Sequence, residues 1–387
     1  MTAKKIKPLK RYFLTILYTL KMGISNTKLW LGKRLGLIRS LKIVPFAGFG
    51  NREEIFFLGR VLKDKGIGVS QLEDSQWKNF KHMYKRFVTW EIPEVEVKAT
   101  LGNISTTACT DDEGYFQISL KPDPNYLLNS PWQKIALELS SQVLKKQGDV
   151  KATNRVIIPG KNSQYGIISD IDDTIVPTGA TRVREMLKNT LFRNAHSRIP
   201  FPGVAAFYQA LQKGTHPAEI NPIFYVSSSP WNLYGFLMEL LEIHEIPKGP
   251  LMLRDLGLTK EHLISGSHDK HKLIQVERIF EIVHEIPFIL IGDSGQHDPE
   301  IYLQVVKDYP GRVKMIYIRE ITSGRREKVI ATGKKIKQLG VDFLLVKDTM
   351  EAARHAASQG WIKDTEIDTI GQQKIAVDKE EKSITYE

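Results

Sequence analysis

YGIISDIDDTI, residues 165–175, is the stretch on which the fold turns. The apolar run Tyr165–Ile168 ends on the polar cluster Ser169-Asp170-Ile171-Asp172-Asp173-Thr174. A short apolar run bounded by such a cluster reads as a strand buried on both faces. Working outward, the pattern recurs at Pro222–Val226, Pro287–Ile291, Val313–Ile318 and Val341–Val346. Helical periodicity fills 203–213, 231–243, 270–284, 298–308 and 348–359 between and after these runs. Apolar strands alternating with helices predict βαβ units, and so an α/β domain built on a doubly wound parallel sheet over 161–360.

Ligands of open parallel sheets bind beyond the carboxyl ends of the strands. The first strand is followed by Asp170 and Asp172, the second by Ser227-Ser228-Ser229, the third by Gly292-Asp293-Ser294-Gly295-Gln296-His297-Asp298. Asp170 and Asp172 are two apart, so in an extended segment their carboxylates point the same way and repel. A divalent cation removes that penalty, and Asp293 offers a third oxygen. All-oxygen ligation with few protein groups suits Mg²⁺. A carboxylate can attack phosphorus, and a second, Asp172, can protonate the leaving alkoxide and then activate water. A hydroxyl, Ser227, and an ammonium, Lys270 or Lys272, would neutralise the phosphoryl oxygens. Asp173 is read as a turn residue only, Ser228 and Ser229 first as turn residues, and Asp298-Pro299 equally well as a helix start.

Taken together, ISDIDDTI, FYVSSSPWNLY, HKLIQVERI, FILIGDSGQHDPEIY and Arg319 after VKMIYI resemble the haloacid-dehalogenase-like (HAD-like) phosphohydrolases. The finer resemblance is to the actin-patch-protein-type phosphatidate phosphatases, over about 165–360. It implies Asp170 as nucleophile, Asp172 as acid/base and Ser227 as phosphate binder. It also implies Mg²⁺ on Asp170, Asp172 (through its carbonyl) and Asp293. Lys272 fits the family's lysine better than Lys270, Asp298 would orient metal-bound water, and Thr174, Ser228 and Arg319 are further binding or supporting candidates. Only 52 residues separate Thr174 from Ser227 and 44 separate Ser227 from Lys272, so a minimal cap is expected. An open site favours a substrate embedded in something large. The flap over 176–200 carries Arg182, Arg184, Lys188, Arg193 and Arg198 against Glu185, which suits an anionic interface.

The chain has 387 residues and a net charge of +11. Residues 1–50 hold 11 basic side chains and no acidic one, so the remainder is neutral and a general nucleic-acid-binding face is not expected. No segment reaches the roughly 18–20 apolar residues that span a bilayer. Leu14, Leu17, Leu20, Trp30 and Leu31 among lysines and arginines read as a basic amphipathic helix on an anionic membrane surface, with a solvated arm as the alternative. No A-x-A-like site follows, which speaks against a cleaved signal. Residues 51–160 read as a small β-sandwich, with a helix within 70–87 and a turn at Asp111–Gly114. Residues 361–387 read as a polar tail. The single cysteine, Cys109, excludes an intramolecular disulfide and is expected to be a buried core thiol. His268-Asp269-Lys270-His271 lacks a third zinc ligand, and no G-x-S-x-G elbow or phosphate loop occurs.

These readings converge on a cytoplasmic, peripherally membrane-associated Mg²⁺-dependent phosphatase acting through an aspartyl-phosphate. Phosphatidate is the first choice of substrate. A phosphatase of a protein or nucleic-acid end, and a non-catalytic scaffold, are the alternatives.

Overall fold

A computed structural model describes residues 31–32, 34–64, 90–123, 130–177, 199–215, 220–254, 268–321 and 323–384. The expected N-terminal amphipathic helix falls almost wholly outside these residues, as do the helix within 70–87 and most of the basic flap.

The parallel runs fold as expected, with one addition. Strands β9 (Gly166–Ser169), β10 (Ile223–Pro230), β11 (Leu251–Arg254), β12 (Phe288–Asp293), β13 (Val313–Arg319) and β14 (Asp342–Val346) form a six-stranded sheet. Its order is β11-β10-β9-β12-β13-β14 and every pairing is parallel. The edge strand β11 was not expected; its four residues carry too little pattern to stand out. Helices cover both faces. Ile167, Tyr225, Ile289, Met315 and Tyr317 pack under α1 (Val204–Lys213), α2 (Tyr234–Ile243) and α6 (Thr349–Ser358). The alternate residues Ile168, Phe224, Leu290 and Ile316 pack under α3 (His268–Ile282), α4 (Asp298–Asp308) and α5 (Arg326–Gln338). This period-two division explains why the strands read as continuous apolar runs. Each such aromatic or aliphatic side chain, fully buried, contributes about 1.5–3 kcal/mol.

Most of 361–387, expected as a polar tail, is helical: α7 spans Thr365–Ile384. Ile370 in this helix and Ile362 just before it are buried, two anchors that polar composition concealed. Gly203, at the N-cap of α1, has no side chain to cap it. The Gln373 side-chain carbonyl accepts instead from Ala206 N–H at 2.8 Å, satisfying one of the donors orphaned at a helix start. Lys374 reaches Asp348 at 2.6 Å, and Lys213 reaches Glu366 at 2.8 Å.

The preceding residues form an eight-stranded sheet. Its members are β1 (Leu41–Pro45), β2 (Gly48–Gly50), β3 (Ile55–Lys63), β4 (Glu96–Leu101), β5 (Ile104–Cys109), β6 (Tyr115–Leu120), β7 (Trp132–Leu139) and β8 (Lys151–Ile157). All pairings are antiparallel except that of β2 with β8. The boundary expected at residue 50 is therefore corrected. β1 pairs with β3 from Leu41 to Pro45, so the basic segment ends before Leu41, with Ile38, Leu41 and Ile43 in the core of the sheet. Cys109 is exposed rather than buried, because alternation along β5 turns Ala108 inward and Cys109 outward. No described helix is long and apolar enough to cross a membrane.

Candidate active site

The strand order of the parallel sheet reverses between β9 and β12, the position past whose strand ends open parallel sheets bind ligands. β9 delivers Asp170, whose N–H donates to Ile291 O at 3.0 Å and so keeps the chain in register for one more residue. The segment then turns back: Thr174 and Ile175 N–H both donate to Ile171 O. Asp173 takes a φ of 61°, a left-handed conformation that aspartate tolerates better than most side chains. It is a turn residue, as expected.

Asp170 is buried, with one oxygen accepting from Thr174 Oγ1 at 3.2 Å and the other, Oδ1, 2.8 Å from Lys272 Nζ. That ion pair lies outside hydrogen-bonding geometry, so Oδ1 has no saturating donor. Lys272 also donates to Asp298 Oδ1 at 2.7 Å. The structure therefore places Lys272 between Asp170 and Asp298; the Lys270 side chain lies outside the described residues. Burial alone would lower the Lys272 ammonium, but Asp170 and Asp298 beside it outweigh that and raise it.

β12 delivers Asp293. Its Oδ1 accepts from the N–H groups of Gly295 and Gln296 at 2.6 and 2.8 Å, while Oδ2 is buried with no donor. Asp298 begins α4 but does not cap it: its Oδ2 accepts from Asp293 N–H at 3.2 Å. Gly292 makes room for it, since a Cβ there would lie 2.6 Å from Asp298 Oδ2. Ligand atoms of Asp170, Asp293 and Asp298 all lie within 4.8 Å of one another. Burial first, then the neighbouring carboxylates, pushes Asp170 well up; burial and Asp298 push Asp293 up to about 8.

Asp172 faces another way. Its Oδ2 accepts from Ser227 Oγ at 2.8 Å and Ser229 Oγ at 3.0 Å, and Ser229 N–H donates to Ser227 Oγ at 2.9 Å. Ser228 is half-buried between the two. Ser229 is thus a site residue that the reading of the sequence passed over. The two-residue alternation of extended chain, applied already to Asp170 and Asp172, would have pointed to it. Gln296 was also missed: its Nε2 donates to Asp172 O at 3.1 Å, and its Oε1 is 3.5 Å from Lys272 Nζ. No residue-type signal marks it. Arg319 lies behind the loop. It donates to Thr174 O at 3.2 Å and Thr349 Oγ1 at 2.9 Å, with its guanidinium 4.3 Å from the Phe201 ring centroid.

The donor set fits a hard divalent cation. Three carboxylates converge on one locus with a single ammonium among them, and the buried Asp293 Oδ2 has no hydrogen-bond donor.

Residues 165–320 match the family described as phosphatidate phosphatase APP1, catalytic domain. Phosphatidate phosphatase APP1 of Saccharomyces cerevisiae is 30% identical over 210 residues, which is 54% of this chain and 34% of the yeast protein. An uncharacterized protein of Schizosaccharomyces pombe is 26% identical over 267 residues, 66% of this chain and 42% of that one. The alignments thus span about a third and two fifths of these relatives. Among solved structures, a carbohydrate acetylesterase from Xanthomonas citri aligns over 78% of this chain and 69% of its own at 9% identity, with a TM-score of 0.29. That likeness bears on neither fold nor function.

Proposed function

We propose that this chain, whose residues 165–320 are a catalytic domain of the APP1 phosphatidate phosphatase type, hydrolyses phosphatidate to diacylglycerol and phosphate. The observation that carries this reading is the buried Asp170–Lys272–Asp298–Asp293 cluster at the reversal of strand order. The sheet is read as the doubly wound core of a HAD-like phosphohydrolase with a minimal cap, and the antiparallel sheet from Leu41 onward as a β-sandwich-like domain packed on it.

Asp170 is the nucleophile. Its carboxylate forms a bond to phosphorus as the phosphorus–ester oxygen bond breaks, leaving an aspartyl-phosphate. Asp172, held by Ser227 and Ser229, gives its proton to the departing glycerol oxygen and later takes one from the water that cleaves the acyl phosphate. Lys272 offsets the phosphoryl charge and Asp298 holds it in place; Ser227, whose hydroxyl donates to Asp172 here, would bind a phosphoryl oxygen by turning that proton to it. Asp170, Asp293 and the Asp172 carbonyl would hold Mg²⁺, with Asp298 beside them. The ion supplies charge neutralisation of the phosphoryl oxygens.

Phosphate release from phosphatidate in detergent micelles, compared with lysophosphatidate, sugar phosphates and phosphopeptides, tests the reading. We expect phosphatidate to be turned over fastest, chelation by EDTA to remove activity, and Mg²⁺ to restore it. Full activity after exhaustive chelation would contradict the metal assignment, and preference for a phosphopeptide would replace the substrate.

Membrane-surface action is part of the same proposal. Residues 1–30 contain seven basic side chains and no acidic one. Attraction to anionic lipid is roughly 1 kcal/mol per basic residue near the surface. Because β1 begins at Leu41, the informative deletion is 2–30 rather than one that removes a strand. It is expected to lower co-sedimentation with anionic liposomes by about tenfold and to leave turnover of a short-chain soluble phosphatidate within a few-fold. Equal sedimentation of both proteins would assign the segment to another partner.

A further inference from the structure

Arg60 on β3 is buried, and the chemistry above makes no use of it. Its own sheet fixes it. Nε donates to Glu113 O at 2.8 Å, Nη2 lies 3.5 Å from Glu91 Oε1, and the guanidinium sits 4.2 Å from the Tyr115 ring centroid. The remaining arm crosses to the parallel-sheet side, where Nη1 donates to Asn232 Oδ1 at 2.8 Å. Asn232 lies in the single turn Trp231–Leu233 that joins β10 to α2, three residues beyond Ser229.

The same turn is held at two more points. Phe46, just after β1, stacks on Trp231 with ring centroids 4.3 Å apart and planes 12° apart, and lies against Tyr234 at 4.5 Å. Ala47 N–H donates to Tyr234 Oη at 2.8 Å, and burial pushes that phenol up to about 12. Three residues of consequence to the turn thus come from the antiparallel-sheet side: Arg60 on β3, and Phe46 and Ala47 in the link between β1 and β2. The turn itself follows directly on the serines that grip Asp172.

We propose that the antiparallel sheet is a working part of the catalytic site: Arg60 and Phe46 clamp the Trp231–Tyr234 turn and so hold Ser227 and Ser229 against Asp172. This deepens the phosphatase reading and rests on it. Arg60, Phe46 and Asn232 are positioning residues. They touch no reacting atom and act through the geometry of the serine loop, where small displacements are costly.

Asn232→Ala removes one acceptor from a half-buried turn and spares the core of either sheet; Asn232→Asp keeps an acceptor for Arg60. In the full-length protein, Asn232→Ala is expected to lower kcat for phosphatidate in micelles about tenfold with KM within about twofold, and Asn232→Asp to restore it. Hydrogen–deuterium exchange gives a readout without turnover. Peptides covering 226–234 are expected to exchange at least about fivefold faster in Asn232→Ala, with 288–297 unchanged and Asn232→Asp at the parent rate. Unchanged exchange over 226–234, or faster exchange throughout the chain, overturns the clamp. If the parent releases phosphate from no phosphomonoester, the functional reading fails by itself, and the exchange pattern alone still decides whether the sheet holds the loop.

Discussion

We expect Asp170→Asn to abolish phosphate release, by at least about 10⁴-fold, while the protein stays folded. Asparagine keeps the size and the acceptor for Thr174 Oγ1 but cannot attack phosphorus. Stability should not suffer. Burial and the facing carboxylates raise Asp170 well above the usual carboxylate range, so its ionised form opposes folding at neutral pH. For a carboxyl with a raised folded-state value, stability is greatest below its unfolded value and is lost as pH rises through the folded one. Removing the charge therefore leaves the metal-free melting temperature equal or higher at pH 7, and flattens its decline with rising pH. Thermal melts at several pH values, alongside phosphate-release assays, check both halves. Substantial turnover by Asp170→Asn would sink the covalent mechanism.

Lys272→Met is expected to fail in both respects. The ammonium lies 2.8 Å from Asp170 and 2.7 Å from Asp298, with all three side chains buried. Truncating one partner of such a cluster leaves uncompensated charge, at a cost of about 3–5 kcal/mol. Activity should fall about 10²–10³-fold through the lost phosphoryl neutralisation. The double variant Lys272→Met with Asp298→Asn should recover part of the stability and none of the activity, because it removes a stranded carboxylate without restoring a cation. Melting curves of the two single variants and the double variant separate these contributions. Additive losses in stability would mean that Lys272 and Asp298 do not act as a pair.

The core of the site was legible because parallel strands concentrate chemistry at their ends. Once 165–168, 222–226 and 287–291 read as strands, Asp170, Ser227 and Asp293 fall at one edge of the sheet, whereas the expectation that the Asp172 carboxylate points the same way as that of Asp170 is corrected: it turns to Ser227 and Ser229. What escaped was the direction of individual side chains. Ser229 is set apart from Ser228 only by its two-residue spacing from Ser227, and Gln296 is chosen by distance alone. Elements escaped where composition hides periodicity. α5 holds only a few apolar positions among lysines, with Gly333 among them. In the fold that glycine is a spacer, since a Cβ would lie 2.4 Å from the Phe343 ring. β1 was hidden in the same way, its apolar residues embedded in a run of basic ones.

The pairing of β13 with β14 bears on where this protein can be cut. Met315 to Arg319 are hydrogen-bonded in register with Asp342 to Val346, and α7 supplies the acceptor for Ala206 at the start of α1. A fragment ending at residue 320 would keep the catalytic side chains named above, yet it would turn an interior strand into a bare apolar edge. Such edges recruit other chains. The minimal autonomous unit is therefore longer than the stretch that carries the chemistry, and a shorter one is expected to be lost to aggregation before its activity can be assayed.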